Sequence, residues 1–265
     1  MNRLILFFIF FIAFTNIANS EIINNIQING NKRISDETVK IYGGVENNKN
    51  YSETDLNKIL QSIYSTNFFK NVEVKISNKT LIINLEEHPV INQLIIIGEK
   101  TKNFREQIKK TIFSKQKGSY IKSFISEDIE KIKNLYSSIG YNSAKVDVKI
   151  RKIDEQNLDL VIEVLRGNPT KISSIKFIGD KKIRDRRLRD VIASEESKFW
   201  KIISRNTKFS DRLVNLDLRL LRNYYRSIGY YDVKINSNSA EINKESNIDL
   251  IYSIDAGKRY VIKKI

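Results

Sequence analysis

Three times in this chain an aromatic residue ends an amphipathic run, a turn carrying Gly or Asn follows, and a strand-like alternation opens. The copies read Tyr64-Ser-Thr-Asn-Phe-Phe-Lys-Asn-Val-Glu-Val-Lys-Ile76, Tyr136-Ser-Ser-Ile-Gly-Tyr-Asn-Ser-Ala-Lys-Val-Asp-Val-Lys-Ile150 and Tyr225-Arg-Ser-Ile-Gly-Tyr-Tyr-Asp-Val-Lys-Ile235. Each closes on Lys-Ile. Aligned on their tyrosines, the copies start 72 and then 89 residues apart. A period of that length confines the chain to a tandem array of small supersecondary blocks. One large core is thereby excluded.

The pattern around each copy is β-α-α-β-β. In the first unit, residues 22–30 read as one half-buried strand with Ile26 and Ile28 pointing inward. Ser35 is placed to cap a short helix that Gly43-Gly44 ends. Leu56, Ile59, Leu60 and Ile63 then form one helical stripe, with Ser52 and Asp55 as a capping pair. The second unit repeats the order, with a helix near 104–113 and the stripe Ile125, Ile129, Ile132 and Tyr136. In the third unit the second helix carries Leu213, Leu216, Leu220, Tyr224 and Ile228. An insertion at 195–204 holds Phe199 and Trp200, either a local apolar plug or an aromatic anchor for a partner.

The two strands that follow each second helix are joined by a short loop and form an antiparallel hairpin. The last strand is the most apolar of its unit, as a central strand is. That gives an α+β fold: three-stranded mixed sheets in the order first, third, second, each covered on one face by two helices. The second strands then lie at sheet edges. They present Val72, Val74 and Ile76, then Val146, Val148 and Ile150, then Asp232, Val233, Lys234 and Ile235. The units fall at 21–88, 89–168 and 169–258, with 259–265 starting a fourth first strand, so a longer parent chain is expected. The linkers, around His88-Pro89 and Arg166-Gly-Asn-Pro169, are short and polar, so neighbouring units are expected to flex.

Residues 1–20 stand apart: Arg3 is their only charge, 4–14 is an unbroken apolar run, and Ala18-Asn-Ser20 has a small-x-small form. An apolar core that short matches a secretory signal peptide, the alternative being an uncleaved anchor. The mature chain is exported in either case. With no Cys, neither disulfides nor Cys-linked lipid are available. The net charge of +15 is distributed unevenly. Basic and acidic residues number 8 and 9 in 21–88, 15 and 10 in 89–168, and 22 and 12 in 169–265. Such a gradient suits anionic headgroups or acidic partners.

Catalytic motifs are missing from the sequence. His88 is the single His and sits in a linker. There is no Cys/His cluster for zinc, no glycine-rich phosphate loop and no nucleophile elbow. Carboxylates read as scattered surface charges beside Lys. The expectation is a binding protein, not an enzyme, with no metal and no cofactor.

The thrice-repeated β-α-α-β-β order, the Phe68-Phe69-Lys-Asn-Val72 junction, the Tyr-x-x-x-Gly-Tyr junctions ending at Tyr141 and Tyr230, and the Phe199-Trp200 insertion resemble the POTRA domains of BamA-type outer-membrane protein assembly factors. The resemblance covers 22–260. It implies periplasmic domains at the outer membrane that take unfolded outer-membrane proteins and accessory assembly lipoproteins onto exposed edge strands; in that family the third domain's second strand, here Asp232-Val-Lys-Ile235, receives a lipoprotein. A TamA-like assembly factor is the sibling reading. From another class, the run Lys181-Lys-Ile-Arg-Asp-Arg-Arg-Leu-Arg189 is either a solvated helix face or a contact for anionic lipid headgroups; export argues against nucleic acid.

Overall fold

The computed structural model describes residues 21–198, 205–241 and 247–261. The signal-like segment, Phe199 and Trp200 lie outside the described residues. The chain forms two compact units. One is built on the first repeat through Val90, with Lys117–Ile121 and Asp154–Asn157; the other takes Ile91–Gln116, Lys122–Ile153 and the chain from Leu158 onward.

In the first repeat, β1 (Glu21–Ile23) and β2 (Asn25–Asn29) precede α1 (Asp36–Gly43), β3 (Lys49–Tyr51), α2 (Glu53–Tyr64), β4 (Phe69–Ser77) and β5 (Thr80–Glu87). The sheet order is β2-β5-β4, with β5 parallel to β2 and antiparallel to β4. The strand expected over 22–30 is in fact two. Its first part leaves the main sheet to pair with β3, which carries the side chain of Ile23 into the core. Ser35 caps α1, its Oγ accepting from Thr38 N at 3.3 Å. Gly44 ends that helix at φ 62°, where a side chain would be strained. Ser52 and Asp55 form the full reciprocal box at the start of α2. Ile59 and Ile63 then pack on Leu81, Ile83 and Phe69.

The second repeat comprises β6 (Val90–Ile97), α3 (Lys102–Thr111), α4 (Lys122–Ser137), β7 (Lys145–Lys152) and β8 (Asn157–Leu165). The third comprises β9 (Lys171–Asp180), α5 (Asp185–Val191), a 3₁₀ turn Arg205–Thr207, α6 (Asp211–Ser227), β10 (Lys234–Glu241) and β11 (Asn247–Asp255). The sheet orders are β6-β8-β7 and β10-β11-β9, so the last strand is central in every repeat. Ile132, Tyr136, Ile162 and Val164 centre the second core; Leu221, Tyr225, Leu250 and Tyr252 centre the third.

Three expectations need correction. Not all carboxylates are at the surface: Asp128 and Asp217 are 1% and 0% exposed. Each sits in its repeat's second helix and accepts the backbone N–H groups left free after the first helix, from Phe113 (2.5 Å) and Ser114 (2.9 Å), and from Ala193 (2.7 Å) and Ser194 (3.1 Å). The Tyr252 hydroxyl also donates to Asp217, at 2.5 Å. A buried carboxylate is tolerable only when its oxygens are satisfied in this way.

The inward line of α6 is accordingly Val214, Asp217, Leu221 and Tyr225, one position off the expected stripe, because a charged residue occupies its middle. The repeat register is also off by one in the first copy. Hydrogen bonds at the helix exits align Asn67 with Gly140 and Gly229: their N–H groups donate to Tyr64 O (3.2 Å), Ser137 O (2.9 Å) and Arg226 O (3.1 Å). All three have positive φ (60°, 88° and 95°). Ile63, not Tyr64, therefore corresponds to the buried Tyr136 and Tyr225, and Tyr64 is 55% exposed.

Candidate binding edges

A three-stranded sheet has two edges, and in each repeat the second strand forms one of them. In β4, Val72 is buried and Val74 and Ile76 half-buried, all on the core side, while Glu73 and Lys75 point away. Lys75 Nζ lies 3.0 Å from Glu73, and Asn84 Nδ2 donates to Glu73 at 2.8 Å. The Asn84 hydrogen bond and then Lys75 hold the Glu73 carboxyl below its usual range. A register shift between Phe69 and Asn71 bends the start of this strand.

In β7 the register with β8 runs unbroken from Lys145↔Leu165 to Lys152↔Leu158. Val146 and Val148 pack on the core, whereas Ile150 is 45% exposed at the far end. Lys149 pairs with Glu163 across the strands at 2.7 Å, which raises the Lys149 pKa. Arg151 reaches across to Asp159, which also accepts from Asn92 Nδ2 and Gln93 N, both at 3.1 Å.

The third edge differs from expectation. β10 begins at Lys234, so Asp232 and Val233 belong to the turn before it. Val233 and Ile235 are buried, and Asp232 and Lys234 exposed. The sheet register aligns Ile235, facing Ile254, with Val146, facing Val164. Lys-Ile closes the first two copies late in their strands but opens the third strand. Beyond Ile235 the sequence turns polar, through Asn236, Ser237 and Asn238.

The opposite edges, which sequence reasoning passed over, are not equivalent. β2 is only five residues long. Much of β9 is covered by its own chain. Ile172 O accepts from Ser197 N (2.7 Å), Ile175 N donates to Glu196 Oε1 (3.0 Å), and Ile175 O accepts from Arg189 Nη2 (2.7 Å). The third repeat is thus left with β10 as its open edge.

Three of the six basic residues in the Lys181–Arg189 run are paired with carboxylates. Lys181 pairs with Asp185 at 2.5 Å, Lys182 with Asp180 at 2.8 Å, and Arg189 with Glu196. Leu188 is buried. His88 is half-buried; burial first, and then the charge of Lys70, lower its pKa, and its backbone N–H donates to Phe68 O at 2.9 Å. Among the described residues no group of His, Cys, Asp or Glu could hold a metal, and no helix is long and apolar enough to cross a membrane.

The POTRA family profile, described as a surface antigen variable number repeat, matches residues 21–88, 89–167 and 170–257. Similar curated proteins include the outer membrane protein assembly factor BamA of Neorickettsia risticii (strain Illinois), 26% identical over 240 residues, and that of Buchnera aphidicola subsp. Acyrthosiphon pisum (strain APS), 27% identical over 269. The matches take in 91% and 98% of this chain, but only 32% and 43% of those relatives. A similar solved structure is the crystal structure of Haemophilus influenzae BamA POTRA3-5. It is 17% identical, with 89% of this chain and 96% of that one covered and a TM-score of 0.40. The chain belongs to the POTRA family, carrying three successive copies of the repeat.

Proposed function

We propose that this chain is the periplasmic scaffold part of a BamA-type assembly factor, working without catalysis and without a cofactor. Unfolded outer-membrane proteins and accessory lipoproteins would add a strand to its sheet edges. In such β-augmentation the backbone ladder supplies sequence-tolerant affinity, and the alternating side chains add mild preference. The carrying observation is the sheet order, which places β4, β7 and β10 at an edge in all three repeats while the chain covers much of β9. Among the three, β7 fits best: its register is unbroken, unlike that of β4, and it keeps Val146, Val148 and Ile150 along one face, where β10 turns polar after Ile235. Phe199 and Trp200 stay a proposed aromatic anchor. Similarity to the two assembly factors supports this reading over a TamA-like one.

The test uses two neighbouring proline variants, Asp147→Pro and Val148→Pro. Successive N–H groups along an edge strand alternate between the ladder and solvent. One of the two substitutions therefore removes only the outward donor and leaves the sheet intact. With a photocrosslinker at Lys149, that folded variant is expected to lose most crosslinking to an unfolded outer-membrane protein. Unchanged crosslinking in the folded variant, with label at Lys75 and Lys234 also silent, would reject strand addition.

A further inference from the structure

We infer that the junction of the second and third repeats holds a binding site for a phosphate-bearing anion, in a hollow of about 330 Å³ lined by Tyr141, Arg166, Lys208, Arg212, Ser138 and Ser210. The site is independent of the edge strands and of whether they bind.

The frame around it is built from backbone. Thr170 N donates to Gly140 O at 2.8 Å, Phe209 N to Thr170 O at 2.9 Å, and Asn142 Nδ2 to Phe209 O at 3.1 Å. Gly140 is needed twice over. Its φ is +88°, and a Cβ there would lie 2.6 Å from Lys208 Cβ, so the Lys208 stem lies directly against the turn. The ammonium at its end sits 5.0 Å from the centre of the Tyr141 ring, while the Arg166 guanidinium lies 4.6 Å from the same ring.

Two cations are thus gathered on one ring. Arg212 adds a third from the first turn of α6, a 17-residue helix capped by Ser210, where the helix dipole already disfavours positive charge. Among the described residues none of the three forms an ion pair with a carboxylate, and no acidic residue lines the hollow. Two carboxylates lie near. Asp211 neighbours Arg212 in the chain, and Glu99 is already engaged by the Tyr136 hydroxyl and Thr101 N, both at 2.7 Å; against the opposing effect of burial these bonds, and least of all the Arg166 charge, hold its carboxyl below the usual range. An anion in the hollow would relieve the mutual repulsion and meet the helix N-terminus. Two guanidinium forks, an ammonium and the Ser210 hydroxyl, whose oxygen accepts from Leu213 N at 3.3 Å, suit the several oxygens of a tetrahedral phosphate better than a planar carboxylate, while the Ser138 hydroxyl is spent on Leu135 O at 2.7 Å. Phosphates of this kind come from lipid headgroups or from soluble phosphoesters.

The experiment uses the mature chain, residues 21–265. Glycerol 3-phosphate is titrated while the amide resonances of Gly140, Tyr141 and Lys208 are followed, and flotation is measured with phosphatidylglycerol vesicles against phosphatidylcholine vesicles. The paired variant Arg166→Gln/Lys208→Met is expected to weaken binding about tenfold or more. The control pair Arg184→Gln/Arg186→Gln removes the same charge from the N-cap and first turn of α5 and is expected to change it less than about twofold. Arg212→Gln touches none of the junction's hydrogen bonds and is expected to weaken binding severalfold by itself. Amide shifts with flotation identify a headgroup, and shifts without flotation a soluble phosphoester; either supports the site. The proposal is overturned if neither probe moves the junction amides, if the α5 control loses as much as the junction pair, or if Arg212→Gln binds unchanged.

Discussion

The first and third repeats each carry an aspartate eight residues before the buried side chain that ends the second helix, Asp55 before Ile63 and Asp217 before Tyr225, and use it for different purposes. In the first repeat α2 begins at Glu53, so Asp55 falls in the opening turn and caps its own helix. In the third, α6 begins about a turn earlier in the aligned register, so Asp217 lies inside the helix and faces the core. The neighbouring helix explains the demand for it. In the first repeat α1 ends on a left-handed glycine, with Gly44 N and Val45 N returning to Ile41 O (3.2 Å) and Lys40 O (3.0 Å). In the second and third repeats the first helix leaves through extended residues, Ile112 and Ile192, and two N–H groups beyond each are turned inward. The aspartate of the longer helix takes them both. A residue's job is set here by where its helix starts and how the helix beside it stops.

Substitution separates the aspartates of the three repeats. Asp217→Ala strips an acceptor from two buried N–H groups and the Tyr252 hydroxyl, and is expected to cost about 4 kcal/mol, read as faster hydrogen exchange across β11. Asp128→Ala orphans two backbone donors but no tyrosine, and is expected to cost about 3 kcal/mol, read at β8. The difference isolates the hydroxyl bond. If the two variants lose equal stability, Tyr252 adds nothing and the third repeat is only a copy of the second. If either is neutral, the N–H groups after α3 and α5 find other acceptors and the division of labour collapses.

Much of this architecture was legible in the chain. The element order, the central last strand and the edge position of the second strand follow from period-2 and period-3.6 patterning with glycine punctuation, all local signals. What escaped reading has a common physical cause: apolar patterning assigns charge to solvent, and Asp217 breaks that rule with three donors brought from elsewhere in the fold. The expected stripe therefore slid to Leu213, Leu216 and Leu220. Tyr64 misled in the same way, since a tyrosine before the turn looks like Tyr136 although Ile63 fills that place. A better signal was present: Asp55-Leu56, Asp128-Ile129 and Asp217-Leu218 recur at one distance from the positive-φ residues Asn67, Gly140 and Gly229. For the candidate site, the edges were readable but their quality was not. That the polar stretch Asn236 to Asn238 belongs inside β10, and that Glu196 covers β9, are properties of register and tertiary contact.

The smallest expected effect is at Asp55, and its sign is set by pH. The side-chain hydrogen bond from Ser52, then the Ser52 backbone N–H, and the charges of Lys58 and Lys49 hold this carboxyl below its ordinary 3.8 against a modest opposing effect of desolvation. A carboxyl depressed in the folded state stabilises fully above its unfolded value and ceases to do so as pH falls through its folded value. Asp55→Asn is therefore expected to lose a little stability at neutral pH, less than either buried aspartate variant. The gap to the wild-type chain should close as pH drops below 3.8, measured as urea midpoints for the first repeat across a pH series. A gap that persisted in acid would mean that Asp55 acts through packing rather than through its charge at the start of the helix. A neutral-pH loss as large as that of Asp128→Ala would mean that one helical turn does not separate a capping aspartate from a core one.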